Sequence, residues 1–187
     1  MKTTITAQQS AFFTKSGYIE FEVPHSLPKA REGRDLWRQD PELQNLLTRK
    51  LAPIALTLTG KPQLRLGTDQ WLTAAELPKK SCTVKELFSI QGFVLGAIMA
   101  ENPIQPVKKS PLGILPLPSK PENVLFFRTD LLLDWPHVKS DVYIVLYALP
   151  NAVYIHNPKD PLTNSLKQLG YHFGDVLKNE FHPFLAK

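Results

Sequence analysis

One cysteine, nine glycines and no long apolar run leave this 187-residue chain with few of the usual chemical signatures. The lone Cys82 excludes an internal disulfide and a cysteine-rich zinc cluster. No histidine-bearing or glycine-rich motif adjoins it, so an inert thiol in a reducing compartment is the plainer reading. Five histidines, at 25, 137, 156, 172 and 182, each lack an Asp or Glu two residues on. That absence excludes an imidazole and a carboxylate set on one side of a strand by alternation, an arrangement that iron sites use. No glycine-rich phosphate loop, G-x-S-x-G elbow or Cys/His pair occurs either. Met1–Lys2 is followed by polar Thr3, Thr4, Thr6, Gln8 and Gln9, with no apolar core of a targeting signal. The longest apolar stretch, Phe88 to Ala100, contains Ser89 and Gln91; it is too short for a membrane span and suits a buried strand. A soluble cytoplasmic protein without membrane contact is the expectation.

What is present is ordinary globular composition, 43% hydrophobic and 21% charged, in a chain of about one domain's length. Proline is the exception: 17 residues, which interrupt long helices and favour many short elements. The net charge of +5 and pI near 9.3 permit attraction to nucleic acid. The basic residues are scattered, however, with Lys79–Lys80 and Lys108–Lys109 as adjacent pairs in loops, and no basic helix face.

Ala7–Ser16 reads as a helix capped by Thr6 and stopped by Gly17. Tyr18–Val23 alternates, with Ile19, Phe21 and Val23 on one face. Asp40–Pro41–Glu42 starts a second helix. Leu43, Leu46, Leu47 and Leu51 give it an apolar stripe, which Ile54, Ala55 and Leu58 extend past a Pro53 that must kink or split it. Strands are expected over Gln63–Trp71, Gly92–Glu101, Ser110–Leu117, Asn123–Phe127, Val142–Leu149 and Ala152–His156. Thr83–Glu86 has capping-box spacing, and Asp160–Pro161 opens a helix that Gly170 closes. Helices followed by six or more strands predict an α+β fold, a β-sandwich or barrel braced by helices. One domain over 1–187 is expected, with helical bracing mainly at 5–60, a β core at about 63–156, and a C-terminal helix and tail at 157–187.

Several segments, in order, resemble the phytanoyl-CoA dioxygenase-like proteins. Ala11–Phe12–Phe13–Thr14–Lys15–Ser16–Gly17–Tyr18–Ile19 is similar to that family's "FF…GY(I/V)" entry. Arg65–Leu72 is similar to its strand leading into the metal site, and Gly92–Met99 to the next core strand. Gly113–Lys120 resembles its "G…vPGSH" turn, with Lys120 where histidine stands. Asn123–Phe127 is similar to the strand before the distal histidine. Leu166–Tyr171 and Gly174–Leu177 resemble the C-terminal part of a small chlamydial group that lacks the iron triad. The resemblance implies a double-stranded β-helix (jelly-roll, cupin-like) core and, in active members, Fe(II) and 2-oxoglutarate held by two histidines, a carboxylate and a basic residue.

Those functional residues do not carry over. No histidine lies between Asp69 and Phe93, where H-x-D belongs. The distal histidine is due near Leu132 or Leu133, and His137 comes too late. The 2-oxoglutarate arginine is due near Val142, and no arginine follows Arg128. No catalytic, cofactor-binding or metal residue is therefore assigned. Asp69, Trp71, Asp130, Leu132, Leu133 and His137 are the candidates for lining a vestigial pocket, although a packed Trp71 and a solvated loop at His137 are the plainer readings. The expected function is a ligand- or protein-binding role on an oxygenase-like fold without oxygenase activity or cofactor. One alternative is an active oxygenase with Asp69, Asp130 and His137 as substitute ligands for Fe(II). Another is a metal-responsive nucleic-acid-binding regulator.

Overall fold

The computed structural model describes residues 5–102, 109–110 and 112–186. Outside the described residues lie Met1–Thr4, Pro111 of the strand expected at Ser110–Leu117, and Lys108 of the Lys108–Lys109 pair. Helix α1 (Ala7–Ser16) has the expected bounds. The Thr6 hydroxyl accepts from the Gln9 N–H, the Gln9 side chain accepts from the Thr6 N–H, and Gly17 ends the helix at φ 78°. Strand β1 (Tyr18–Glu22) follows, with Ile19 and Phe21 buried and Val23 buried just beyond.

Asp40 caps α2 (Pro41–Asn45) by accepting from the Glu42 and Leu43 N–H groups. The interruption expected at Pro53 takes the form of a π-helical stretch, Leu46–Leu51, between α2 and α3 (Ala52–Thr59). Pro53 has no N–H for the carbonyl four residues back, and the wider bond from the Ala52 N–H to the Leu47 carbonyl absorbs that loss. The stripe from Leu43 through Ala55 is buried, and Leu58 is half-buried.

The remaining strands are β2 (Gln63–Leu72), β3 (Ile90–Met99), β4 (Lys109–Ser110), β5 (Gly113–Ile114), β6 (Asn123–Arg128), β7 (Val142–Tyr154) and β8 (Phe184–Ala186). Six of the strands form one antiparallel sheet in the order β1-β6-β3-β7-β2-β8. β4 and β5 pair apart from it, and single bridges join Cys82 to Leu133 and Ile114 to Leu133. The second layer of the β-helix is thus reduced to short contacts.

Four expected elements differ. Val142–Leu149 and Ala152–His156 are one strand, because Pro150 falls where the β3 register shifts between Gln91 and Phe93 and no ladder donor is needed. Ser110–Leu117 shrinks to β4 and β5, since Pro111, Pro116 and Pro118 cannot donate to a ladder. The C-terminal helix is instead a set of turns and a 3₁₀ helix, Ser165–Leu169, closed at Gly170 as expected. Asp160 does accept from the Leu162 N–H, but its oxygens also bind Arg34 and Ser89, which draws the chain inward.

Alternation along β7 divides the core. Tyr143, Val145 and Tyr147 face the helices, while Val142, Ile144, Leu146 and Ala148 face Leu133, Trp135, Phe88 and Phe93 inside the β-helix. Leu64 and Leu66 of β2 also face the helices. The irregularity between Leu66 and Thr68 inserts one residue, so Asp69 and Trp71 continue on the helical side, opposite Val145 and Tyr143.

Candidate functional site

The region where the resemblance places iron chemistry is built on the Cys82–Leu133 bridge. Cys82 N–H donates to the Leu133 carbonyl at 3.2 Å, and Leu133 N–H to the Cys82 carbonyl at 3.1 Å. Leu133 turns inward and is fully buried, whereas Leu132 turns outward and is 46% exposed. Trp135, Val142 and Ile144 are fully buried in the same apolar cluster. Trp135 donates its indole N–H to the Cys82 carbonyl at 3.3 Å. Burial, and then the Glu86 charge, push the Cys82 thiol up to about 11, so it is not a thiolate at neutral pH.

The other candidates are dispersed. His137 Nδ1 lies 2.8 and 2.9 Å from the oxygens of the buried Asp134, in a turn that leaves its side chain 63% exposed. Asp130 lies in an exposed turn and accepts from Arg128 Nε and Nη2 at 3.0 and 2.9 Å; that hydrogen bonding lowers its pKa. Asp69 is fully buried in the helix–sheet layer, where Tyr143 Oη donates to its Oδ2 at 2.6 Å. Trp71, beside it, carries the Arg31 guanidinium 4.5 Å above its ring. Asp69, Asp130 and His137 are therefore not brought together.

Every His, Cys, Asp and Glu of the chain lies among the described residues, and no three of them there are grouped to hold a metal. Leu133 and Val142, where the resemblance expects a histidine and an arginine, offer no donor atom. The residues present do not fit an iron centre with 2-oxoglutarate.

Buried polar chemistry lies elsewhere, and two networks escape the sequence reading. Arg34 donates to both oxygens of Asp160, at 3.0 and 2.9 Å, while Ser89 Oγ donates to Asp160 at 2.8 Å. Arg34 and Ser89 border a void of about 10 Å³, room for about one water. In the second, Asp35 accepts from Thr68 Oγ1 at 2.9 Å and from Arg38 at 3.1 Å, next to Asp69. Burial, then the Asp35 charge, push the Asp69 carboxyl up to about 7. His182 sits close by with Nδ1 2.8 Å from the Gly67 carbonyl, and burial holds it down near 4. The only signal in the sequence was the cluster of charges in Arg31–Arg38, which no expected element claims.

A cleft of about 450 Å³ lies outside the β-helix, between residues 25–29 and the α2–π segment, with Leu27, Leu43 and Leu46 beneath His25, Lys29, Lys50 and Glu42. Five of the six arginines are tied to carboxylates, carbonyls or rings: Arg31, Arg34, Arg38, Arg65 and Arg128.

Neither a family model nor a curated protein matches the sequence. Solved structures do match the fold. The non-heme alpha ketoglutarate dependent carbocyclase SnoK from nogalamycin biosynthesis superposes with a TM-score of 0.65 at 14% identity, over 97% of this chain and 96% of its own. The non-heme alpha ketoglutarate dependent epimerase SnoN from the same biosynthesis superposes with a TM-score of 0.64 at 15% identity, over 96% and 98%. A structure of SnoN with Fe3+, alpha ketoglutarate and nogalamycin RO gives 0.62 at 14% identity. This chain has their fold. At such identity the likeness establishes the oxygenase-like β-helix and leaves activity to the residues of the site. Among the described residues no helix is long and apolar enough to cross a membrane.

Proposed function

We propose that the chain is a non-catalytic relative of the oxygenases, allied to the chlamydial group it resembles, that serves a binding role. One observation supports this reading: Leu133 and Val142, where the resemblance expects the distal histidine and the arginine, are fully buried in one apolar cluster with Trp135 and Ile144. An interior closed by apolar side chains leaves the outer surface to make the contacts, which favours a protein partner over a small molecule in the old cavity.

Calorimetric titration with Mn(II), with and without 2-oxoglutarate, tests the reading together with an assay for succinate. No saturable heat at stoichiometric metal and no succinate above background are expected. Tight one-to-one metal binding that strengthens with 2-oxoglutarate would overturn it, and succinate abolished by His137→Ala would establish substitute ligands instead.

A further inference from the structure

Arg31–Arg38 lies as a strap along the outer edge of β2. On that edge β8 pairs only with Gln63–Arg65. Further along, the strap takes over: Asp35 N–H donates to the Asp69 carbonyl at 2.8 Å, Trp71 N–H donates to the Gly33 carbonyl at 3.0 Å, and Arg34 bridges Gln70. Three guanidiniums hold it down, Arg31 over Trp71, Arg34 on Asp160, and Arg38 over Phe181. Its turn requires Asp35 at φ 57°, the one non-glycine residue in the left-handed region among the described residues. An aspartate tolerates that region better than most residues but is not at ease there.

Beneath the strap lie two carboxylates. Asp35 is satisfied by Thr68 and Arg38. Asp69 receives the Tyr143 hydroxyl on Oδ2, while Oδ1 makes no hydrogen bond of ordinary geometry. Arg38 Nε and Trp71 Nε1 are likewise buried without partners. Such incompletely satisfied polar groups make this the contact most easily undone by an added charge.

We propose that residues 31–38 are a proton-controlled cover on the β2 edge. A protonated Asp69 keeps the strap closed. Loss of that proton sets a second buried charge beside Asp35 and weakens the closure, so that the strap opens more often and uncovers the Asp69 carbonyl and the Trp71 N–H.

The direction follows from which state holds the proton. Under the closed strap Asp69 titrates near 7, raised by burial and then by Asp35, against the pull of the Tyr143 hydroxyl and the Trp37 and Leu36 N–H groups. Released into water it returns to its ordinary value near 3.8. Closure is therefore complete below about pH 4, weakens about tenfold per pH unit above it, and levels off above about 7. The other titratable or charged groups around the pair are Tyr143 and Tyr147 from β7, Arg38 from the strap, and His182 from the C-terminal tail. Burial raises both tyrosines well above neutrality, and His182, held near 4, stays uncharged from pH 5 upward.

Amide hydrogen exchange followed by NMR tests this, with rates corrected for the intrinsic effect of pH. Between pH 5 and 7.5 the protection of the Asp35 and Trp71 amides falls about 100-fold relative to β3–β7 amides such as Val145. In Asp69→Asn, which mimics the protonated carboxyl, their protection is level. Equal changes in strap and β3–β7 amides, or the same loss in the Asn variant, would overturn the proposal. If that variant does not fold, Tyr143→Phe removes a hydroxyl that favours the charged carboxylate and must move the levelling-off to higher pH. An unmoved profile overturns the proposal as well.

Discussion

Leu132 and Leu133 are chemically identical neighbours with opposite roles. Alternation puts one in solvent and the other at the centre of the β-helix. Leu133→Ala is expected to lower stability by about 2–5 kcal/mol, and Leu132→Ala by less than about 0.5 kcal/mol, in urea denaturation. Asp69 and His182 oppose each other as titrating groups. Asp69, raised to about 7, contributes stability that is complete below about pH 4 and is lost as pH rises through 7. His182, lowered from 6.5 to about 4, contributes stability that is present above 6.5 and is lost as pH falls through 4. Their slopes, each about 1.4 kcal/mol per pH unit, cancel between about pH 4 and 6.5. Urea midpoints of His182→Gln should therefore decline from pH 4.5 to 6.5, while those of the wild-type chain stay nearly level.

At the scale of elements, the sheet is shaped by close contacts that only some residues permit. Gly96 of β3 sits opposite Phe127 of β6, and a Cβ there would meet the Phe127 ring at 2.2 Å. Phe127 is fully buried and has nowhere to go. Gly96→Ala is expected to cost about 1–3 kcal/mol in thermal or urea unfolding, despite alanine's better fit to a strand. Gly67 acts differently, as the extra residue that changes which face of β2 looks toward the helices. Local signals were legible at this scale: Thr6, Gly17, Asp40 and Gly170 all mark element ends as expected, because capping and left-handed turns involve only near neighbours. The continuous β7 and the π-helical turn were not legible, since each depends on what a distant strand or a missing amide does to the ladder.

Across the whole molecule, the Arg34–Asp160 pair joins the strap to the C-terminal turns over 126 residues of sequence. The Asp160 side chain is fully buried and that of Arg34 is 9% exposed, so removing one partner strands the other's charge. Arg34→Ala should lower stability by about 3–5 kcal/mol, and Arg34→Ala with Asp160→Ala by less than the sum of the two single changes, as a double-mutant cycle in urea would measure. The same long-range closure shows in the tail: β8 pairs with β2, and the Pro183 carbonyl accepts from the Leu66 N–H. Helices, β-helix and tail therefore share one set of cross-braces.

By itself the sequence determined the order of most strands and helices along the chain and the absence of any H-x-D/E pair. Periodicity, capping and residue identity are local properties, and no tertiary arrangement can supply a histidine that is not there. Only the tertiary structure decided which side of the sheet each candidate faces. A single inserted residue at Gly67 is invisible to an alternating pattern, yet it moves Asp69 and Trp71 out of the β-helix and under the strap. The pairing of Asp35 with Asp69, and of Arg34 with Asp160, likewise required the fold, because those charges meet across separations that no local rule spans.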